Sequence, residues 1–254
     1  MSNDTLKVGN VTLSGNFIVL DCNDDDAPEP DYEAISVPGR SGDLHLWNGR
    51  WKNKMITYHC MCRANARTNV PNILTQLIAQ PGYQRITDSL HTSYYKMGTF
   101  VGGTAPVYSD GGETARFDLT FDCKPQKWLL SGETEISITS SGVSITNPTN
   151  YPAYPLLIFK GYGTIKITEY YSTAHSHHYE FNIMDSGITP STQNKEIRYD
   201  SDIFDAWEVY SGANFNQYVS SLSEKMKLTE GKTKVINESS SNLKISLIPR
   251  WWTL

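Results

Sequence analysis

Thr114-Ala115-Arg116-Phe117-Asp118-Leu119-Thr120-Phe121-Asp122-Cys123 alternates apolar and polar residues without a break from Arg116 onward. Phe117, Leu119, Phe121 and Cys123 fall on one parity and Arg116, Asp118, Thr120 and Asp122 on the other. In a strand, successive side chains point to opposite faces, so this segment predicts a sheet with one buried and one wet face. Just upstream, Asp110-Gly111-Gly112 supplies residues suited to the positive φ angles of a tight hairpin.

Working toward the N-terminus, Lys54 to Cys62 is a second strand. Ile56, Tyr58, Cys60 and Cys62 share one face and Met55, Thr57, His59 and Met61 the other, and both faces are expected to be at least half buried. Gln84 to Asp88 and Tyr94 to Val101 also read as strands. Between these strands, Val70, Ile73, Leu74, Leu77 and Ile78 recur at helical spacing, with Asn69 as the expected cap, Pro71 in the first turn and Gly82 beyond the end. The apolar run Gly15 to Leu20 is a further strand. It leads into the acidic, proline-bearing Asp21 to Asp31, which is expected to be a loop or arm because proline cannot continue a strand interior.

Working toward the C-terminus, composition shifts over Lys124 to Glu133, and a series of short strands begins: Glu135–Thr139, Gly142–Thr146, Leu156–Lys160, Gly163–Tyr170 and Tyr179–Met184. Turn residues at Asn147-Pro148, Tyr151-Pro152 and Gly187 to Pro190 separate them, which predicts a second β-sandwich and a boundary near residue 130. Leu243 to Ile248 is a last strand, followed by Pro249-Arg250-Trp251-Trp252. Two adjacent tryptophans bury a large area when docked, so the tail is expected to fold back, onto the first domain. The chain therefore reads as mainly β, with two sandwich-type domains and one helix in the first.

Bulk properties narrow the function. The 254 residues are 39% hydrophobic and 19% charged, a globular balance with enough length for real cores. No run approaches the roughly 20 apolar residues of a membrane helix. Met1 to Gly9 lacks a basic region leading into an apolar one, which predicts a chain kept in a cytoplasm-like compartment and no membrane partner. Cys22, Cys60, Cys62 and Cys123 are too few and too unevenly spaced for a disulfide framework, so reduced thiols are expected. Lys and Arg total 22 against 27 Asp and Glu, a net charge of −5, and the basic residues are scattered. Tight nucleic-acid binding needs clustered cations and is not expected.

Chemistry is sparse. The sequence has no Gly-x-Ser-x-Gly elbow, no His-Glu-x-x-His helix and no phosphate loop; Gly161-Tyr162-Gly163 is too short for a dinucleotide fingerprint. His175, His177 and His178 are possible metal ligands, but a solvated hairpin tip explains them more simply. Cys60 and Cys62 put two sulfurs on one strand face, for which core packing is the simpler account. Asp21, Asn23 and Asp25 open like a calcium loop, yet its sixth position is Asp26 and its twelfth Tyr32, which rejects an EF-hand. The carboxylate pairs Glu133/Glu135 and Asp200/Asp202 have no evident cleft around them. Tyr162, Tyr170, Tyr171, Trp207 and Tyr210 are candidates for stacking on sugar rings. No cofactor or metal is expected.

Several phrases, in order, resemble the distal tail proteins (Dit) of siphophages, the long-tailed, non-contractile bacteriophages. They are Val37-Pro38-Gly39-Arg40-Ser41-Gly42-Asp43-Leu44; Phe121-Asp122-Cys123-Lys124-Pro125; Ile145-Thr146-Asn147-Pro148-Thr149-Asn150 with Pro155-Leu156 and Gly161-Tyr162-Gly163; and Ile197 to Asp202, Tyr210 to Asn214 and Leu228 to Lys232. The closing phrase is Ile248-Pro249-Arg250-Trp251-Trp252. One departure is Leu228 to Thr233, where that family more often has a Pro-Gly-Asn turn.

The resemblance spans nearly the whole chain. It implies a non-enzymatic virion protein of the tail tip, made in the host bacterial cytoplasm. Residues 1–130, completed by 246–254, would form a ring-building belt domain, and residues 131–245 a galectin-like, jelly-roll-like sandwich. The subunit would close a homohexameric ring that joins the tail tube protein to tail-associated and receptor-binding proteins, with DNA passing through the channel unbound. Gly39, Arg40, Gly42, Arg250, Trp251 and Trp252 are the ring, arm and domain-packing candidates. Asp24, Asp25 and Asp26 are candidates for an acidic channel wall that repels DNA. The alternative is a carbohydrate-binding module for host cell-wall saccharide.

Overall fold

The computed structural model describes residues 5–161, 163–172, 175–183, 196–221, 225–238 and 244–254. It is mainly β, in two compact units that divide between Lys127 and Trp128: Met1–Lys127 with Leu254, and Trp128–Thr253.

The first unit contains β1 (Leu6–Val8), β2 (Val11–Leu13), β3 (Phe17–Cys22), β4 (Pro30–Ile35), β5 (Leu44–Trp51), β6 (Lys54–Cys62), α1 (Ala66–Ile78), β7 (Gln84–Asp88), β8 (Tyr94–Gly102), β9 (Val107–Ser109) and β10 (Thr114–Leu129). Its main sheet runs β2-β1-β7-β8-β10-β6-β3, with β9 also on β10. β10 and β6 pair antiparallel with Phe117 opposite Cys60, Leu119 opposite Tyr58 and Phe121 opposite Ile56, so the two apolar parities meet on one face. All of these side chains are buried. The other face of β6 is wetter than expected: Met55 is 52% exposed, and His59 is exposed beside Asp118. Asp110, Gly111 and Gly112 all take positive φ in the short turn between β9 and β10.

The helix starts four residues before the expected first turn. Asn65, at φ 50°, precedes it without a side-chain cap, and Pro71 sits inside it. Ala66, Val70, Ile73 and Leu77 form the buried stripe, which packs on β2 and β6. Ile78, expected inward, is 72% exposed, because the buried stripe closes at Leu77.

The second unit holds β11 (Ile136–Ile138), β12 (Val143–Asn147), β13 (Leu156–Lys160), β14 (Gly163–Ser172), β15 (His175–Ile183), β16 (Glu196–Asp200), β17 (Asp205–Glu208), β18 (Val219–Ser221), β19 (Gly231–Asn237), β20 (Lys244–Ile248) and β21 (Trp252–Thr253). One sheet runs β11-β20-β13-β16-β17 and the other β12-β19-β14-β15-β18. Phe181 of the second sheet packs against Phe159 and Tyr199 of the first, with ring centroids 5.8 and 5.3 Å apart, which makes the pair a sandwich around one core. Leu228 and Ala153 bridge by two backbone hydrogen bonds of 2.8 and 3.0 Å, and Gly231, at φ 83°, opens β19.

The tail docks its first tryptophan, Trp251, in the second core and not the expected first. Residues 246–253 cluster with the second unit, Leu254 clusters with the first, and β21 joins the nine-stranded sheet through β10. Ile245 and Leu247 point into the sandwich core, and β20 pairs with both β13 and β11. Trp251 is 4% exposed in that same core, and the amides of Arg250 and Leu129 donate to Gly132 and Trp251 carbonyls. β21 pairs with β10, whose closing residues Trp128 and Leu129 already belong to the second unit.

Candidate functional site: an exposed aromatic arm and its buried root

Between β3 and β6 the chain leaves the main sheet. β4 and β5 pair antiparallel with each other alone, as a two-stranded arm with a register shift between Pro30 and Tyr32. The loop at its tip turns at Val37, whose carbonyl accepts the Arg40 amide at 3.2 Å. Gly39 (φ 79°) and Gly42 (φ 83°) hold left-handed conformations that disfavour any side chain. Arg40 is exposed beside them.

The arm carries aromatic residues that its own fold does not bury. Tyr32 stacks on His45 at 4.4 Å, and Trp47 meets Trp51 edge-on at 6.5 Å. With Pro30 they line an open apolar trough of about 340 Å³. Trp47 is 62% exposed, and Leu44 and Leu46 are exposed on the same strand. Isolated two-stranded hairpins are marginal in water, so a hairpin this rich in exposed apolar surface is suited to being covered by another protein.

At the arm's root lies a buried ionic cluster. Asp24, 1% exposed, receives Lys96 Nζ at 2.9 Å and the Tyr94 hydroxyl at 2.9 Å on Oδ2, with Lys54 and Lys127 each at 3.4 Å on Oδ1. Lys96, equally buried, also reaches Asp88 at 3.2 Å and the Tyr58 hydroxyl at 3.0 Å. Burial by itself pushes the Asp24 carboxyl up, but Lys96 and Lys127, with the Lys96 and Tyr94 hydrogen bonds, outweigh it and hold it below its ordinary range. Burial likewise pulls Lys96 down, and Asp88 and Asp24 reverse that. The expectation that Asp24 lines a channel is therefore not met: its charge is enclosed and neutralised. Asp25 and Asp26 are exposed.

Next to this cluster, Cys22, His91 and Asp88 look at first like a nucleophilic triad. However, Cys22 Sγ (3.9 Å) and Asp88 Oδ1 (3.0 Å) both face Nδ1 of His91, so no relay through the ring exists. Burial pushes the Cys22 thiol up to about 11, which keeps it protonated.

The other sequence candidates lie in the second unit. Arg250, at φ 59°, forks onto Asp200 and donates to the Tyr154 carbonyl; Trp252 stacks on Tyr151 at 4.6 Å and donates to the Pro152 carbonyl at 3.1 Å. With Asp200 on Arg250 and Asp202 3.5 Å from Lys225, that carboxylate pair is committed to ion pairs. Glu133 and Glu135 are exposed. His175, His177 and His178 open strand β15 of the β14–β15 hairpin, where His177 and His178 are exposed, and His178 Nδ1 is 3.0 Å from the Thr168 hydroxyl. Among the described residues no three metal-ligating side chains converge. Tyr170 stands on β14 in one sheet, whereas Trp207 and Tyr210 lie on and just after β17 in the other, so they form no single row. Tyr162 and the side chain of Tyr171 lie outside the described residues. Among the described residues, no helix is long and apolar enough to cross a membrane.

Sequence reasoning missed Lys96, Asp88 and the arm aromatics. One signal for Lys96 was available, since it shares its parity on β8 with Tyr94 and Phe100 and so sits where a core residue belongs.

Solved structures show where this architecture has been seen. The crystal structure of SPP1 Dit (gp 19.1), a hub of the adsorption apparatus in phages infecting Gram-positive bacteria, superposes with a TM-score of 0.66 over 98% of this chain and 99% of that one, at 13% identity. The chain has the Dit fold. Components of the phage P2 baseplate in its activated conformation, with Ca and with Sr, superpose at TM-scores of 0.53 and 0.52. Both are 9% identical and cover 97% and 96% of this chain, and 98% and 97% of theirs. No protein-family model and no curated sequence matches the chain. The Dit fold is thus present from end to end at an identity that sequence comparison does not register.

Proposed function

We propose that this chain is a non-enzymatic structural subunit of a siphophage tail tip, a hub that closes as a homohexameric ring between the tail tube protein and the tail-associated and receptor-binding proteins. The observation that carries this reading is the superposition on SPP1 Dit, which leaves almost nothing of either chain unmatched. A ring uses two different faces of each subunit, and the arm offers one such face: Tyr32 and Trp47 on its strands, with Gly39, Arg40 and Gly42 at its tip. Arg250, Trp251 and Trp252 serve the packing of the second unit. DNA passes through the ring unbound. The net charge of −5 and the exposed Asp25 and Asp26 favour repulsion over adhesion.

Light scattering across a concentration series, with negative-stain images of the same fractions, tests this directly. A hexameric mass and ring-shaped particles are expected. A monomer at every concentration, alone and mixed with the tail tube protein, overturns the reading.

A further inference from the structure

The arm leaves the body of the first unit at residue 22 and returns at residue 54, and among the described residues neither of its strands pairs with the main sheet. Its direction is therefore set at the root. There, Lys54, the first residue of β6, crosses to the incoming chain: its ammonium donates to the Asp24 carbonyl at 2.8 Å and the Asp26 carbonyl at 2.5 Å. Lys127 of β10 donates to the same Asp24 carbonyl at 3.1 Å. The carboxylate of Asp24 meanwhile reaches Lys96 and Tyr94 on β8. One side chain and its own carbonyl thus join the incoming strand, the outgoing strand and the two central strands of the sheet. The remaining contacts are lighter: the Asn23 amide donates to the Thr57 carbonyl at 3.2 Å, the Thr57 amide to the Asn23 side-chain Oδ1 at 2.6 Å, and the Lys52 amide to the Glu29 carbonyl at 2.8 Å.

A buried carboxylate is a costly way to hold a surface loop, since each ion must give up its hydration. A polar turn with no charge inside would close the same chain. Here the buried charges sit where a free-standing hairpin joins its sheet, and the partners of Asp24 come from three strands, β6, β8 and β10.

We propose that Asp24 is a positioning residue: a buried clamp with Lys54, Lys96 and Lys127 that fixes the direction in which the aromatic arm projects, and so presents its apolar face preset for a second copy of this chain. The second clause rests on the hub reading. The first does not.

The test is the spread of distances between two spin labels, at Ser41→Cys on the arm tip and Asn72→Cys on the exposed face of α1, in chain diluted with unlabelled protein. The native cysteines are buried and remain in place. A narrow distribution is expected for the parent, broadening at least about twofold in Asp24→Asn and in Lys54→Met while the folded fraction is unchanged. Lys54→Met leaves the Lys96 pairs intact, so it carries the test if Asp24→Asn does not fold. A distribution equally narrow in the parent and in every folded variant overturns the clamp, whatever the oligomeric state. A broadened distribution with ring mass unaffected upholds the clamp and overturns the arm's part in assembly.

Discussion

Arg250 and Asp200 face one another as a fork on a fork, Nη1 to Oδ2 at 2.7 Å and Nη2 to Oδ1 at 2.5 Å. The pair ties the last turn of the chain to the end of β16. Asp200 is only 14% exposed, so removing its partner strands a half-enclosed charge. Arg250→Ala is expected to destabilise the second unit by about 2–4 kcal/mol. Arg250→Lys recovers little of this, because an ammonium cannot make both bonds at once. Denaturant unfolding of the three proteins, followed by tryptophan fluorescence, checks both statements; equal midpoints would remove the pair from any account of stability.

Glu169 gives the second unit a pH dependence. It is fully buried, its Oε1 finds no hydrogen-bond partner among the described residues, and Oε2 accepts from the Tyr179 hydroxyl at 3.2 Å. Burial pushes the carboxyl up to about 7, against weaker opposing pulls from Tyr179, the Thr229 amide and Lys227. A carboxyl whose folded pKa lies above its unfolded value holds its proton in the native state, so stability falls as pH rises from about 4.5 to 7 and is level above. The loss across that window is about 3 kcal/mol. Glu169→Gln is expected to abolish this slope and to be the more stable protein at pH 8, as read from unfolding midpoints at several pH values.

Gly132 has no room for a methyl group. A Cβ there would stand 2.4 Å from the Trp251 amide nitrogen and 3.1 Å from the Trp251 Cβ, where the tail passes over the short 3-10 turn Leu130–Glu133. Gly132→Ala should displace Trp251 from the core and cost about 1–3 kcal/mol. A red-shifted tryptophan emission in the folded variant would be the spectroscopic sign.

Trp47 should separate assembly from folding. Its side chain is 62% exposed on the arm. Trp47→Asp is expected to change the stability of the first unit by no more than about 0.5 kcal/mol. The same substitution should abolish the ring in light scattering, since it places a charge at the centre of the apolar trough. Rings of normal mass would remove the arm from the interface.

Sequence alone located β6 and β10 well because one of their faces is dry, and dryness imprints period two on the residues. It placed the helix stripe but not its start, because Asn65 enters through a left-handed backbone without a side-chain cap and Pro71 imitates a first turn. Asp24 was misplaced for a different reason. Three consecutive aspartates look solvated, and the cations that enclose the first include Lys54, 30 positions away, and Lys127, 103 positions away. The docking side of the tail was equally hidden, since Trp251 suits either core by composition and only the pairing of β20 decides between them.

All four thiols lie inside the core of the first unit, and burial pushes those of Cys60 and Cys123 up to about 12. Thiolate is the form that attacks disulfides and is oxidised; at Cys22, Cys60 and Cys123 burial keeps it scarce, and all four sulfurs are out of reach. Copies of this chain can therefore be packed side by side in oxidising surroundings for long periods without becoming cross-linked through sulfur, and whatever separates or rearranges them need not break a covalent bond.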